Sequence, residues 1–107
     1  MAATYKVLGQ QAPVAMTNTD LYTAPAPAIV ATICVCNTGT TDATFRVAVR
    51  PAGEDLAPKH YVIYDASIGA SQTMALTLGI AMAATDVITV YTSAAIVSFS
   101  AFGAENP

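Results

Sequence analysis

Apolar residues in this chain come in short alternating runs, each soon broken by Gly, Pro, Asn, Asp or Thr. Ala43 to Arg50 shows the pattern: Phe45, Val47 and Val49 fall on one side of an extended chain, and Arg46, Ala48 and Arg50 on the other. A period of two marks a half-buried strand, because successive side chains on an extended backbone point to opposite faces. Gln72 to Leu78 repeats the period, with Met74, Leu76 and Leu78 expected inward and Thr73, Ala75 and Thr77 outward. From Ala95 to Phe102, Ala95, Val97, Phe99 and Ala101 alternate with Ile96, Ser98, Ser100 and Phe102. Ala28 to Asn37 is apolar and β-branched on both faces, which predicts a central strand. Thr4 to Gln10, Asp20 to Thr23, Tyr61 to Asp65 and Val87 to Thr92 complete the set.

The breaks between these runs carry turn chemistry. The prolines of Ala24–Pro27 stop ladder pairing. Asn37 to Asp42 reads as a turn joining Ala28–Asn37 and Ala43–Arg50 into a hairpin. Pro51 to Lys59 reads as an exposed loop, with room for one helical turn near Glu54, and Asp65 to Ser71 as another turn. Gly79 to Asp86 has helical composition but is too short to stand as a helix, so it is expected to connect strands and pack Ile80 or Met82 over the core. No space remains for the crossover helices that parallel strands require. The chain of 107 residues therefore reads as one all-β domain with a short N-terminal arm. It is expected to be an antiparallel β-sandwich or jelly roll of about eight short strands, spaced about 8 to 12 residues apart.

Little in this sequence offers catalysis. Charged residues make up 10% of it, which leaves few groups from which a reactive centre could be built. His60 is the only imidazole and is expected to lie exposed at a loop border. A nucleophilic triad would need an acid and a Ser or Cys beside it. Glu54 and Asp55 are adjacent in a loop, where side chains point apart, unlike the paired carboxylates of a glycosidase. Asp20, Asp42, Asp65 and Asp86 sit at predicted strand ends, where Asp bonds local backbone N–H groups; no calcium-loop spacing accompanies them. Asn37-Thr-Gly-Thr-Thr lacks the Lys-Ser or Lys-Thr of a phosphate loop. Cys34 and Cys36 share a strand face, a poor geometry for a mutual disulfide, and a metal would need two further ligands. They read as small reduced thiols, and no cofactor or metal is expected. Tyr61 and Tyr64, at odd separation, are expected on opposite faces, one in the core and one at the surface.

The partners are bounded by charge and hydropathy. Four basic residues against seven acidic ones give a net charge of −3, without the Lys and Arg cluster that nucleic acid demands. Mean hydropathy is +0.52. Even so, no unbroken apolar stretch reaches the roughly 20 residues of a membrane span. The N-terminus lacks the basic and apolar regions of a secretory signal, so synthesis and folding in a cytoplasm are expected. The outward positions of several strands carry Ala, Thr, Ser and Ile in place of Lys and Glu, a surface that packs against protein without desolvating charge. The N-terminal arm Met1–Lys6 and the loop Pro51–Lys59 are expected to make contacts, through Tyr5, Lys6, Arg50, Glu54, Asp55 and Lys59.

Five segments carry a resemblance: Tyr5-Lys-Val-Leu-Gly-Gln, Thr19-Asp-Leu-Tyr-Thr-Ala-Pro, Cys36-Asn-Thr-Gly, Phe45-Arg-Val-Ala-Val-Arg-Pro-Ala-Gly and Lys59-His-Tyr-Val-Ile-Tyr-Asp. From about Thr4 to Phe102 the chain resembles small virion proteins of tailed bacteriophages, of the type found in phages of cyanobacteria and other aquatic bacteria. The resemblance implies a virion structural component. With no coiled coil or fibre repeat in the sequence, it favours capsid decoration (cement) over a neck, tail or baseplate fibre. It implies contact with the major capsid protein or other virion proteins, and self-association as a trimer. It carries over no functional residues. A receptor- or carbohydrate-binding module is the alternative of a different class, and an exposed aromatic cluster beside a concave pocket would favour it.

Overall fold

The computed structural model describes residues 3–106. Nine strands form two antiparallel sheets: β1 (Thr4–Gln11), β2 (Thr19–Thr23), β3 (Ala28–Asn37), β4 (Ala43–Arg50), β5 (Tyr61–Ile68), β6 (Thr73–Leu76), β7 (Ile80–Met82), β8 (Val87–Thr92) and β9 (Val97–Glu105). Two short 3-10 turns, Pro51–Gly53 and Pro58–His60, lie between β4 and β5. One sheet runs β1-β9-β3-β6, with β7 pairing β3 beyond β6; the other runs β2-β8-β4-β5. This is the all-β antiparallel sandwich that the alternation predicts, with a ninth strand, β7, in the segment expected to be a connection. Met82 on β7 is buried, as that packing role requires.

The core is the space between the layers. Val30, Ile33, Val35, Val97, Phe99 and Ala101 face inward from the five-stranded sheet, and Phe45, Val47, Ile68, Ile88 and Val90 from the four-stranded one. Phe45 and Phe99 meet edge-to-face across the gap, with ring centroids 6.0 Å apart. This is the offset geometry that aromatic quadrupoles favour.

Four expectations are corrected here. β3 and β4 do not form a hairpin; they lie in different sheets. Each has an apolar row (Val30, Ile33 and Val35 on β3; Phe45 and Val47 on β4), and placing one strand in each layer lets those rows bury each other. Asn37 makes the crossing possible. Its buried side chain donates to the carbonyls of Thr41 (2.9 Å) and Ile68 (3.2 Å) and accepts from the N–H of Gly39 (2.9 Å), so the Asn37–Asp42 segment arches between sheets. β3 is central but not buried on both sides: Ile29 and Ala31 are exposed and Cys34 and Cys36 half-buried. β5 continues through Ile68, so the turn expected from Asp65 begins only at Gly69. Leu78 is 41% exposed, because β6 ends at Leu76 and the inward alternation ends with it.

β9 has one point of close backbone approach. A Cβ at Gly103 would stand 2.0 Å from the carbonyl oxygen of Ile29, where the β3–β9 register shifts between Val30 and Thr32. Only glycine fits beneath that bulge.

Candidate interaction surfaces

The two outer faces of the sandwich differ in character. On the four-stranded side, the loop 51–60 folds back over the sheet, and Arg50 holds it there. The Arg50 guanidinium donates to Thr89 Oγ1 (2.9 Å), to the carbonyls of Gly53 (3.2 Å) and Glu54 (2.8 Å), and to Asp20 Oδ1 (3.1 Å). Its donors are thus engaged within the fold.

His60 is not at an exposed border; only 5% of it is accessible. Its Nδ1 accepts the N–H of Ala57 (3.0 Å), which puts the proton of the neutral ring on Nε2, facing Glu54 Oε1 at 3.2 Å. The histidine therefore fastens the loop. No Ser or Cys takes part in these contacts. Among the described residues, no three His, Cys, Asp or Glu side chains gather to hold a metal ion. Cys34 and Cys36 are free thiols on the outer side of β3.

Asp42 and Asp86 behave as turn residues. Asp42 accepts the N–H of Ala70, and Asp86 the N–H groups of Ala52 and Ala83. Asp20 and Asp65 pair with arginines instead. Arg46 donates to both carboxylate oxygens of Asp65 (2.6 and 3.3 Å). The Arg46 guanidinium lies between the rings of Tyr64 and Tyr91, 4.3 and 4.2 Å from their centroids.

Tyr61 and Tyr64 do not lie on opposite faces. The β4–β5 register shifts twice, between Phe45 and Val47 and between Val47 and Ala48. The second shift undoes the odd separation, so the rings meet edge-to-face at 4.9 Å with an interplanar angle of 82°. Asp65 next to them adopts a left-handed φ of 51°. A cleft of about 620 Å³ opens here, lined by Asn18, Leu56, Ala57, Pro58, Tyr61 and Tyr64.

The five-stranded sheet is different. Its pairing aligns Val7, Phe102 and Thr32; Tyr5, Ala104, Ile29 and Ala81; Gln10, Ser100, Cys34 and Ala75; and Ser98, Cys36 and Thr73 across the outer face. No Lys, Arg, His, Asp or Glu stands in these rows. Tyr5, Val7, Ile29 and Phe102 are exposed there. At one end the face dips into a hollow of about 720 Å³, apolar except where Glu105 and Asn106 border it.

Of the expected contact residues, Tyr5 lies on this neutral face. Lys6 is on the same strand but pairs with Glu105 (2.9 Å). Glu54, Asp55 and Lys59 are exposed on the loop of the opposite side. The six residues thus form no single patch. Met1 and Ala2 of the expected arm lie outside the described residues. The outer row of β3 was missed: continuous apolarity suggested burial and hid the fact that Ile29 points outward.

No family model matches the chain, and no curated protein or solved structure matches it.

Proposed function

We propose that this protein is a structural subunit without a catalytic centre, a virion component of a tailed bacteriophage that self-associates and binds the virion surface as capsid decoration. The observation that carries the reading is the outer face of the five-stranded sheet, where small uncharged residues surround exposed Tyr5, Val7, Ile29 and Phe102. Such a face joins a neighbour without the desolvation cost of burying ionised groups. Four strand positions about 4.8 Å apart, each about ten residues long, span about 600 Å². That area approaches the roughly 800 Å² per partner of a standard stable interface. The sequence resemblance supplies the virion setting, and many copies bearing modest interfaces would stabilise a shell through multivalency.

Light scattering at increasing protein concentration tests the self-association. An oligomer, a trimer on this reading, is expected for the wild type, and Phe102→Glu should shift it to monomer while circular dichroism stays that of a β protein. A wild type that stays monomeric would remove the self-association. Quantifying the protein in purified particles tests the setting: hundreds of copies mark capsid decoration, a count near that of a tail ring moves it to neck or tail, and absence from particles ends the virion reading.

A further inference from the structure

The geometry points to a binding site for a neutral saccharide in the cleft between Tyr61, Tyr64 and the Leu56–Pro58 segment, with Asn18 on its wall. The site lies on the four-stranded side, away from the neutral face invoked above, and does not depend on that face having a partner.

The rings are brought together by local distortion. Extended backbone of regular register would put Tyr61 and Tyr64 on opposite faces. The register shift between Val47 and Ala48, where β5 has one extra residue between Tyr61 and Ile63, brings them to one side, where Tyr64 remains 59% exposed; Asp65, just after both rings, is left-handed. A left-handed non-glycine residue persists only where its surroundings hold it, and bulges re-aim side chains beside functional sites. The shifted register of β5 also keeps Ile63 and Ala66, likewise three residues apart, packed against the core, while neither tyrosine ring joins the buried cluster.

The cleft is also held in shape before any ligand arrives. Arg46, tied to Asp65, rests against the Tyr64 ring. His60 fixes Ala57, and the Pro58 turn forms the opposite wall. The hydrogen bonds around the cleft run between Ala57 and His60, His60 and Glu54, and Arg46 and Asp65; none ends on Asn18, Tyr61 or Tyr64. Asn18, Tyr61 and Tyr64 thus line the cleft with an amide and two phenol hydroxyls that make no hydrogen bond among the described residues.

That combination selects the ligand class. A pyranose has one face of C–H groups, which packs on an aromatic ring, and a rim of hydroxyls, which bonds amides and phenols. Rings at 82° make a corner that receives one sugar unit. A polyproline II peptide lies along an aromatic-lined groove, which a corner does not provide. No ionised side chain lines the cleft, so a charged ligand finds no complement. The volume lies within the range of about 300–1,000 Å³ usual for small-ligand sites.

Chemical-shift titration of the ¹⁵N-labelled protein tests the site. The probes are hexasaccharides of an α-glucan, a β-glucan, a β-mannan, a galactan and chitin, with a polyproline peptide as the competing class. Saturable shifts on Asn18, Ala57, Tyr61 and Tyr64 with at least one sugar are expected, with a dissociation constant on the order of 0.1–1 mM. Tyr64→Ala should weaken binding at least tenfold, and Phe102→Ala on the opposite sheet should leave it unchanged. Should Tyr64→Ala fail to fold, the exposed Asn18→Ala provides the same readout. No saturable shift with any sugar, shifts confined to other residues, or saturation by the peptide alone would overturn the proposal.

Discussion

At the residue scale, Asn37 and Glu105 do more than their positions in sequence suggest. Asn37 is buried and each of its polar side-chain atoms has a partner. Its orientation follows from those partners, because two carbonyl oxygens face the amide nitrogen and an N–H faces the oxygen. Asn37→Ala should cost about 1–3 kcal/mol by leaving buried backbone groups unpaired. Asn37→Asp should cost more, since a carboxylate would face two carbonyl oxygens. Urea denaturation of both variants checks the order.

Glu105 accepts the hydroxyl of Tyr22 (2.7 Å) and the ammonium of Lys6 (2.9 Å). The Tyr22 hydrogen bond first, then that of Lys6, holds its carboxyl below the usual range. A carboxyl depressed in the fold binds fewer protons there than in the unfolded chain. Its stabilising contribution is therefore complete above the unfolded value and is lost as pH falls through the folded one. The denaturation midpoint should decline as acid is added below about pH 4.3, the ordinary Glu value, and Glu105→Gln should decline less steeply. Equal slopes would remove Glu105 as a contributor.

At the scale of elements, irregularities decide what a regular strand would not. The bulge of β3 over β9 rests on Gly103, where any Cβ meets backbone, not a flexible side-chain end. Gly103→Ala must therefore shift a strand, with an expected loss of about 2–4 kcal/mol, in line with other severe core defects. Thermal denaturation measures it, and an unchanged midpoint would mean the two strands can separate without cost. The displaced register of β5 had no such marker. No glycine or proline lies between Tyr61 and Ile68, so nothing local announces that Tyr61 and Tyr64 converge. His60 was misplaced for a related reason: its partner atoms, the N–H of Ala57 and the carboxylate of Glu54, meet it only after the loop closes on itself.

For the whole molecule, the division of charge between the two sheets sets how it meets other surfaces. The Asp20–Arg50 and Arg46–Asp65 pairs lie on the outer face of the four-stranded sheet, whereas uncharged rows cover the outer face of the five-stranded one, whose Lys6–Glu105 pair stands outside those rows. Association through the neutral face should change little between about 0.05 and 0.5 M salt, because screening acts only on charge. Sedimentation equilibrium over that range checks it, and a steep fall with salt would move the contact to the charged loop. The sequence by itself determined the class: a period of two in apolar residues, turn residues at short intervals and no helix-length segment leave an antiparallel sandwich as the way to bury those faces. Only the tertiary structure decided that β3 and β4 part into different layers, that Ile29 and Phe102 share an open wall, and that two tyrosines meet over a cleft. The physical reason is range: alternation is a property of neighbours along the chain, whereas sheet membership, register shifts and outward faces depend on contacts between residues far apart in it.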